Sequence, residues 1–400
     1  MYIQYEASMD YHFARRLDAA PESFLERLFA VSRDPDIISF AGGLPMTSLI
    51  DVAGIRDAAA AVFADEGEAA LQYTTTDGYL PLREYIAARY RSRLGLSATA
   101  GEIRITNGSQ QCLDLTAKIL VDPCTVIGME RPGYLGAIEA FSYYQPRIKT
   151  VPMTEEGLEM DAFRALCQEE KPAFFYGIPN FQNPSGAAYS DTVRKECAEC
   201  CRETETIFYE DDAFGELAFD GRPRMPVKAF APECGVMSGS FSKTVSPGMR
   251  IGWIYAPGPV IEKFDTVRQA ADLHPNALSQ AIMHRYLTTH DYEGHLRRVR
   301  RVYEMNCRQM CDLLDDLLPD VSHTTPEGGM FMLVTMPDGK DSMALFDACL
   351  KERVAVLPGV PFYAGGGGHD TFRLNFSTAQ EEEIAEGMKR LARAYRHCGC

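Results

Sequence analysis

The sequence predicts an α/β fold: a large domain on a mostly parallel sheet flanked by helices, with a smaller α+β domain beside it. Three observations carry this expectation. From about residue 103, short β-branched or aromatic runs alternate with loops rich in Gly, Pro, Asn or Ser and then with helical segments, the pattern of strands covered on both faces. A long stretch with helical apolar spacing, Tyr292 to Leu318, follows the last of these units. Beyond it GGMFMLVTM, VAVLPGVPF and TFRLNFS read as strands, ahead of a terminal helix QEEEIAEGMKRLARAY. The expected division is 46–290 for the large domain, with 1–45 and 291–400 together forming the small one.

Taken in order, residues from about 10 to 33 carry a helical pattern with Phe24, Leu25, Leu28 and Phe29 on one side. DIISFAGGLP then reads as a short strand entering a Gly-Gly-Leu-Pro loop, where paired glycines permit close backbone approach. A helix is expected at about 51–66. The stretch LQYTTTDGYLPLREYIAARYRSRL begins as loop, exposing Tyr73, and becomes helix near Pro81. Strands are expected near Ile103–Thr106, Thr125–Met129, Ala173–Ile178, Thr206–Tyr209, Gly235–Ser238 and Arg250–Ala256. The Gly365–Gly368 run lacks the preceding strand and following helix of a nucleotide fingerprint and is read as a loop. Lys243-Thr244 mimics the end of a phosphate-binding P-loop, but Ser242 stands where glycine is required.

Composition narrows the partners. A net charge of −16 argues against nucleic acid or an anionic membrane. No apolar run is long enough to span a bilayer, and the opening MYIQYEASMD is neither basic nor apolar enough for a secretory signal, so a cytoplasmic location is expected. Twelve cysteines are many, yet a chain this long needs no disulfide staples, and in a reducing compartment they act as small apolar side chains. Cys197, Cys200 and Cys201 form a CxxCC group on an apparent amphipathic helix with no second pair at metal-binding spacing, so no metal is expected. Cys398 and Cys400 read as an oxidation-prone tail.

In parallel sheets ligands bind at the carboxyl ends of the strands, and the residues there form a consistent set. Gly108-Ser109-Gln110-Gln111 opens a helix whose free N–H groups and dipole suit a phosphate. Tyr134 follows the next strand and has a ring able to stack. Asn183, in NPSG, has an amide to offer a ring oxygen. Glu210, Asp211 and Asp212 form a carboxylate cluster ending an apolar strand. Last comes GSFSKTVSPGMRIGW, Gly239 to Trp253, with two cations, Lys243 and Arg250, no carboxylate, and the hydroxyls of Ser240, Ser242, Thr244 and Ser246. A partly buried amine beside another cation loses its proton readily and becomes a nucleophile. Each element alone has an ordinary structural explanation as a cap, core ring or surface lysine. Together they match pyridoxal 5′-phosphate, which needs a lysine for its aldehyde, an acid on its pyridinium nitrogen, phosphate donors, a stacked ring and a donor to its phenolate.

Along nearly its whole length, through AGGLP, LQYTTTDG, NGSQQ, NPSG, EDDAF, SFSKTVSPGMRIGW and FRLNFS, the chain resembles the fold-type I aminotransferases of class I/II. It is similar in particular to the branch holding the 2-aminoadipate and kynurenine aminotransferases. The resemblance implies that Lys243 bonds the cofactor and that Asp211 pairs with its pyridine nitrogen. It implies further that Asn183 donates to its ring oxygen, that Ser109, Gln110, Ser240 and Arg250 hold its phosphate, and that Tyr134 stacks on it. Tyr73 matches a tyrosine that reaches the phosphate from the other subunit, which implies a homodimer with shared active sites. Arg373 matches the residue that grips the substrate α-carboxylate, with Asn183 and Gly43 beside the substrate. One departure stands out: the family's usual tyrosine three residues after the aspartate is here Phe214, which leaves Asn183 as the donor to the phenolate.

What the resemblance implies about activity is ping-pong transfer of an amino group from an L-amino acid to a 2-oxoacid, 2-oxoglutarate being the expected acceptor. A lyase or decarboxylase on the same scaffold, or a non-catalytic ligand sensor, are the alternatives. The sensor is disfavoured by the acidic chain and the short stretch before AGGLP. The donor's side chain would meet the first helix near Phe24 to Leu28, the loop after Gly43 and Tyr73 to Tyr79, none of which presents a decisive charge. Aromatic or long-chain amino acids are therefore the expected donors.

Overall fold

The computed structural model describes residues 11–18, 34 and 36–397. In chain order the strands are β1 (Ile38–Ser39), β2 (Ile103–Thr106), β3 (Val126–Arg131), β4 (Arg147–Thr154), β5 (Gly157–Leu158), β6 (Phe174–Gly177) and β7 (Ile207–Asp212). They continue as β8 (Gly235–Ser240), β9 (Gly252–Tyr255), β10 (Ser322–His323), β11 (Phe331–Thr335), β12 (Val354–Ala355), β13 (Leu357–Pro358) and β14 (Thr371–Asn375). An eight-stranded sheet takes the order β2-β9-β8-β7-β6-β3-β4-β5. Its middle, from β8 through β7, β6 and β3 to β4, is parallel. Helices such as Asp191–Thr204 supply the crossovers that parallel neighbours require. β9 runs against both of its neighbours, because the segment 241–251 returns the chain directly without an α-helix.

Beyond the long helix Tyr292–Leu317 the chain forms a four-stranded antiparallel sheet, β10-β11-β14-β13, and β12, which pairs in parallel with β1 from the start of the described chain. That helix buries Leu296, Val299, Tyr303, Cys307, Met310 and Leu314. The apolar spacing also offers Leu313 and Leu317 for this face, but both are only half-buried, since a 3.6-residue repeat drifts off any fixed stripe over seven turns of helix. One apolar core joins the long helix, the central strands and the small sheet, with Phe40, Tyr176, Tyr209, Phe214 and Phe331 among its members. The helix expected over residues 10–33, with Phe24 to Leu28, falls mostly outside the described residues, as do Cys398 and Cys400. Among described residues no helix is long and apolar enough to cross a membrane.

Two boundaries differ from expectation in ways that matter to the site. β7 does not stop at Tyr209 but runs through Glu210, Asp211 and Asp212, held by pairing with Met237, Ser238 and Gly239 of β8. Carboxylates are poor strand formers, and here the ladder overrides that preference. Arg250 is not in a strand: it caps the 3-10 turn Pro247–Met249 in the left-handed region (φ 56°), and β9 begins at Gly252.

Candidate active site

Side chains alternate along a strand, so the extension of β7 points Asp211 to one face and Glu210 and Asp212 to the other. On the far face Asp212 accepts from Asn180 at 2.8 Å and Glu210 lies 3.9 Å from Arg194. Asp211 lines a cleft of about 320 Å³ between the carboxyl ends of the central strands and β11 and β14. Its Oδ2 accepts from the Tyr176 hydroxyl at 2.8 Å and its Oδ1 from Ser238 Oγ at 3.0 Å. Burial pushes its carboxyl up to about 6, against the pull of those two hydroxyls and of Lys243. Such an acid becomes an ordinary carboxylate only when a cation faces it.

Lys243 enters the same cleft from the turn after β8. Its Nζ donates to Gly43 O at 2.6 Å, and among the described residues it forms no ion pair. Desolvation first, then the Arg373 and Arg250 guanidinium groups, lower its ammonium to about 8, with Asp211 pulling the other way. The amine is thereby kept near the pH at which it turns nucleophilic.

Ser109, Gln110 and Arg250 line the cleft beside the N-terminus of the helix Ser109–Leu120. Two glycines allow that corner to close. A Cβ on Gly108 (φ 85°) would stand 2.2 Å from Arg250 Nη2, and one on Gly252 would stand 2.5 Å from the Ser109 nitrogen. Arg250 is positioned by donating from Nη2 to Asn107 O at 3.1 Å and from Nη1 to Pro247 O at 3.2 Å. Helix N–H groups and a guanidinium together make an anion cradle. Gln110 donates to Gly136 O at 2.7 Å and lies 3.5 Å from the Tyr134 hydroxyl, tying the ring of Tyr134 to the cradle. Ser240 is adjacent to the cleft but does not line it: its Oγ donates within 2.9 Å of Ser242 Oγ and accepts from Ser242 N at 3.1 Å.

Arg373, from β14, closes the opposite wall and is 3 % exposed. Nη1 donates to Asn183 Oδ1 at 2.8 Å and Nη2 to Ala41 O at 2.6 Å, while Nε is buried without a partner. Its guanidinium lies 4.0 Å above the Phe331 ring. A buried cation with an orphaned donor and no carboxylate is costly unless an anion completes it, so this wall calls for a ligand carboxylate. Phe214 stands edge-on to Phe331 at 5.7 Å, and Leu44, Leu135 and Ile178 add apolar wall. Tyr73 lies elsewhere, 79 % exposed, its ring edge-on to His274 at 5.6 Å.

The cleft thus gathers Gly43, Ser109, Gln110, Tyr134, Asn183, Asp211, Lys243, Arg250 and Arg373, and leaves Ser240 beside it and Tyr73 outside. Tyr176, Ser238 and Phe331 complete it without having been singled out by sequence. Ser238 is signalled only by register, as the cross-strand partner of Asp211. The donor set fits pyridoxal 5′-phosphate on the orphaned Arg373 Nε, the glycine-closed anion corner and the unpaired amine facing an acid. Among the described residues no group of three His, Cys, Asp or Glu side chains is arranged to hold a metal, and Cys197, Cys200 and Cys201 are buried in the helix Asp191–Thr204.

The comparisons with known proteins agree with the motif resemblance. The 2-aminoadipate transaminase of Thermus thermophilus is 40% identical over 380 residues, covering 94% of each chain. Aromatic-amino-acid aminotransferase 1 of Thermococcus litoralis is 36% identical, covering 96% of this chain and 94% of its own. The crystal structure of the alpha-aminoadipate aminotransferase LysN of Thermus thermophilus, complexed with N-(5'-phosphopyridoxyl)-L-leucine, superposes with a TM-score of 0.90 at 37% identity, over 96% of this chain and 97% of that one. The family model for aminotransferase class I and II matches residues 36–391. This chain belongs to the aminotransferase class I and II family.

Proposed function

We propose that the chain is a pyridoxal 5′-phosphate-dependent transaminase that moves the amino group of an aromatic or long-chain L-amino acid to a 2-oxoacid, 2-oxoglutarate in the first instance, by a ping-pong mechanism. The observation that carries this reading is one cleft in which an amine without an ion pair, Lys243, faces a buried acid, Asp211, between two guanidinium groups. Pyridoxal phosphate, when bound, supplies an aldehyde for amines and a cationic ring that takes up the electron pair released at a substrate Cα. Asp211, held by Tyr176 and Ser238, keeps the ring nitrogen protonated. The helix corner at Ser109 and Gln110, with Arg250 and the nearby Ser240, holds the phosphate; Tyr134 supports the ring face. Arg373 binds the substrate carboxylate through its fork, and Asn183 donates Nδ2 to the ring oxygen. Lys243 would take the proton from the substrate Cα and deliver it to the cofactor's aldehyde-derived carbon on the other side of the nitrogen, as general base and then acid.

The apolar wall of Leu44, Leu135, Ile178, Phe214 and Phe331 supports a large side chain, as do the substrates named for the two relatives. Tyr73, exposed on one chain, suits an assembly in which it reaches a second copy's phosphate corner, hence a homodimer. The unpaired cysteines among the described residues and the net charge of −16 suit a cytoplasmic enzyme. We assign the large domain to 46–290 and the small one to 1–45 with 291–400. A panel of amino donors against 2-oxoglutarate tests the reading. Aromatic and long-chain donors are expected to yield glutamate and their 2-oxoacids. Release of ammonia, pyruvate or CO₂ in place of glutamate would overturn it in favour of a lyase or decarboxylase, and binding without turnover in favour of a sensor.

A further inference from the structure

The loop between β6 and the helix Asp191–Thr204 carries Asn183 into the cleft, and a carboxylate outside the cleft holds that loop from beneath. Glu130 of β3 is 1 % exposed. Its Oε1 accepts from the Ile178 N–H at 2.8 Å and from the Tyr189 hydroxyl at 2.5 Å, and its Oε2 accepts from Gln182 Nε2 at 3.0 Å. Ile178 and Tyr189 stand at the two ends of the loop, and Gln182 immediately precedes Asn183. One buried side chain thus ties both ends of the loop to its middle. The three donors approach two separate oxygens, and an ionised carboxylate is the side chain that only accepts at both. Burial pushes the Glu130 carboxyl up to about 7, against the pull of those same three donors.

The Gln182 amide passes this hold across Asn183. Its Nε2 donates to two acceptors, Glu130 Oε2 and Pro132 O at 2.7 Å, so its Oε1 faces the other way. There it accepts from the Ser185 N–H at 2.8 Å and from Ser185 Oγ at 2.7 Å. Asn183 lies between the two residues so joined, and Gly186 N closes the turn by donating to Gln182 O at 2.6 Å. The outer edge is braced on the small sheet: Thr324 Oγ1 donates to Ser185 O at 2.6 Å and accepts from Leu333 N of β11 at 3.0 Å. Glu130, Gln182 and Ser185 do not line the Lys243 cleft.

Resting on the transaminase reading above, we propose that Glu130 is a positioning residue: through Gln182 it sets the backbone that carries Asn183, and with it the hydrogen bond that Asn183 gives to the ring oxygen of the cofactor. Arg373 turns the Asn183 amide, while Glu130 fixes the place from which that amide reaches. Glu130→Gln keeps the size of the side chain and breaks its pattern. If the new amide turns its oxygen to the Ile178 N–H, its NH2 faces the Gln182 NH2. If it turns the other way, its NH2 meets the Ile178 N–H. Two donors collide in either orientation, and the loop has to move.

Visible pH titration of the enzyme loaded with pyridoxal 5′-phosphate tests this. Glu130→Gln is expected to raise the spectroscopic pKa by about one unit, because a weakened donor favours the ionised ring oxygen less. Asn183→Ala should raise it too, and the double variant should match Asn183→Ala alone, since Glu130 acts through Asn183. In the cofactor-free chain, hydrogen–deuterium exchange over residues 182–187 should be faster in Glu130→Gln. An unchanged spectroscopic pKa, unaltered exchange over that loop, or two shifts that add in full in the double variant overturns the proposal. Should Glu130→Gln fail to fold, Ser185→Ala decides: it removes one of the two bonds from Ser185 to Gln182 and should raise the same pKa, and no shift has the same consequence. A native chain that gains no visible band with pyridoxal 5′-phosphate overturns the transaminase reading as well, which tells the two failures apart.

Discussion

Arg373 donates from Nη1 to Asn183 Oδ1 at 2.8 Å, so the residue proposed to bind the substrate carboxylate also orients the amide proposed to meet the ring oxygen. A guanidinium only donates. It therefore fixes the amide oxygen toward itself and leaves Nδ2 as the donor Asn183 has to offer. In the roles proposed for these two residues, binding of a substrate carboxylate on Arg373 would be coupled to the electronic state of the cofactor ring through this one hydrogen bond.

Arg373→Lys tests that coupling. The ammonium loses the planar fork and the stacking on Phe331, and the expected loss is about 100-fold in kcat/KM, or ~3 kcal/mol, most of it in KM for both amino acid and 2-oxoacid. The visible spectrum of the loaded enzyme should shift as well, because Asn183 is released. Kinetic loss with an unaltered spectrum would mean that Asn183 is held by something other than Arg373.

For Lys243→Ala the expected outcome is loss of multiple turnover, with donor and acceptor binding retained. Appreciable steady-state activity in this variant would refute the role assigned to the amine. The lowered ammonium, about 8 against 10.5 for a free lysine, also predicts that in the cofactor-free chain Lys243 is acylated faster near neutral pH than the exposed lysines.

Asp211 carries a stability prediction whose sign follows from its raised carboxyl, about 6 against 3.8. The folded state holds this proton more tightly than the unfolded one. Its stabilising contribution is thus present below about pH 4 and lost as pH rises through about 6. At pH 7 the cofactor-free chain carries a buried charge without its cation. Asp211→Asn should then be more stable than the parent at pH 7 by up to about 3 kcal/mol, the difference fading near pH 4. Urea denaturation at the two pH values checks this, and equal stability at pH 7 would contradict it. The same variant should bind the cofactor poorly, a trade of function for stability.

Phe214→Tyr places a phenol beside Asn183 in the cleft wall. A second donor to the ring oxygen favours its ionised form, so the pKa read from the visible spectrum of the loaded enzyme should fall. An unchanged titration would show that the new hydroxyl points elsewhere, with the ring still edge-on to Phe331.

Most of the site is legible along the chain because its residues sit where strands end, and strand ends announce themselves by apolar runs followed by Gly, Pro, Asn or Ser. Lys243, Arg250, Asn183 and Asp211 each carry a motif of their own, and so does Arg373 within FRLNFS. Residues acting through those groups carry none. Tyr176 and Ser238 look like ordinary strand residues until pairing of β6, β7 and β8 brings them onto Asp211.

By itself, then, the sequence determined the alternating α/β architecture, the chemistry of the cofactor and most of the residues that gather in the cleft, because periodicity and residue type are local properties. Motif resemblance singles out Asp211 among three consecutive carboxylates, but only the tertiary structure gives the reason it faces the cleft: β7 continues against β8, and the two-residue alternation follows from that. Tertiary structure also decided that Ser240 lies beside the cleft and Tyr73 outside it, that Arg250 reaches the helix corner from a left-handed turn, and that Arg373 is left with an orphaned donor. Those outcomes depend on burial and on hydrogen-bond partners far apart in the chain, and no local pattern encodes them.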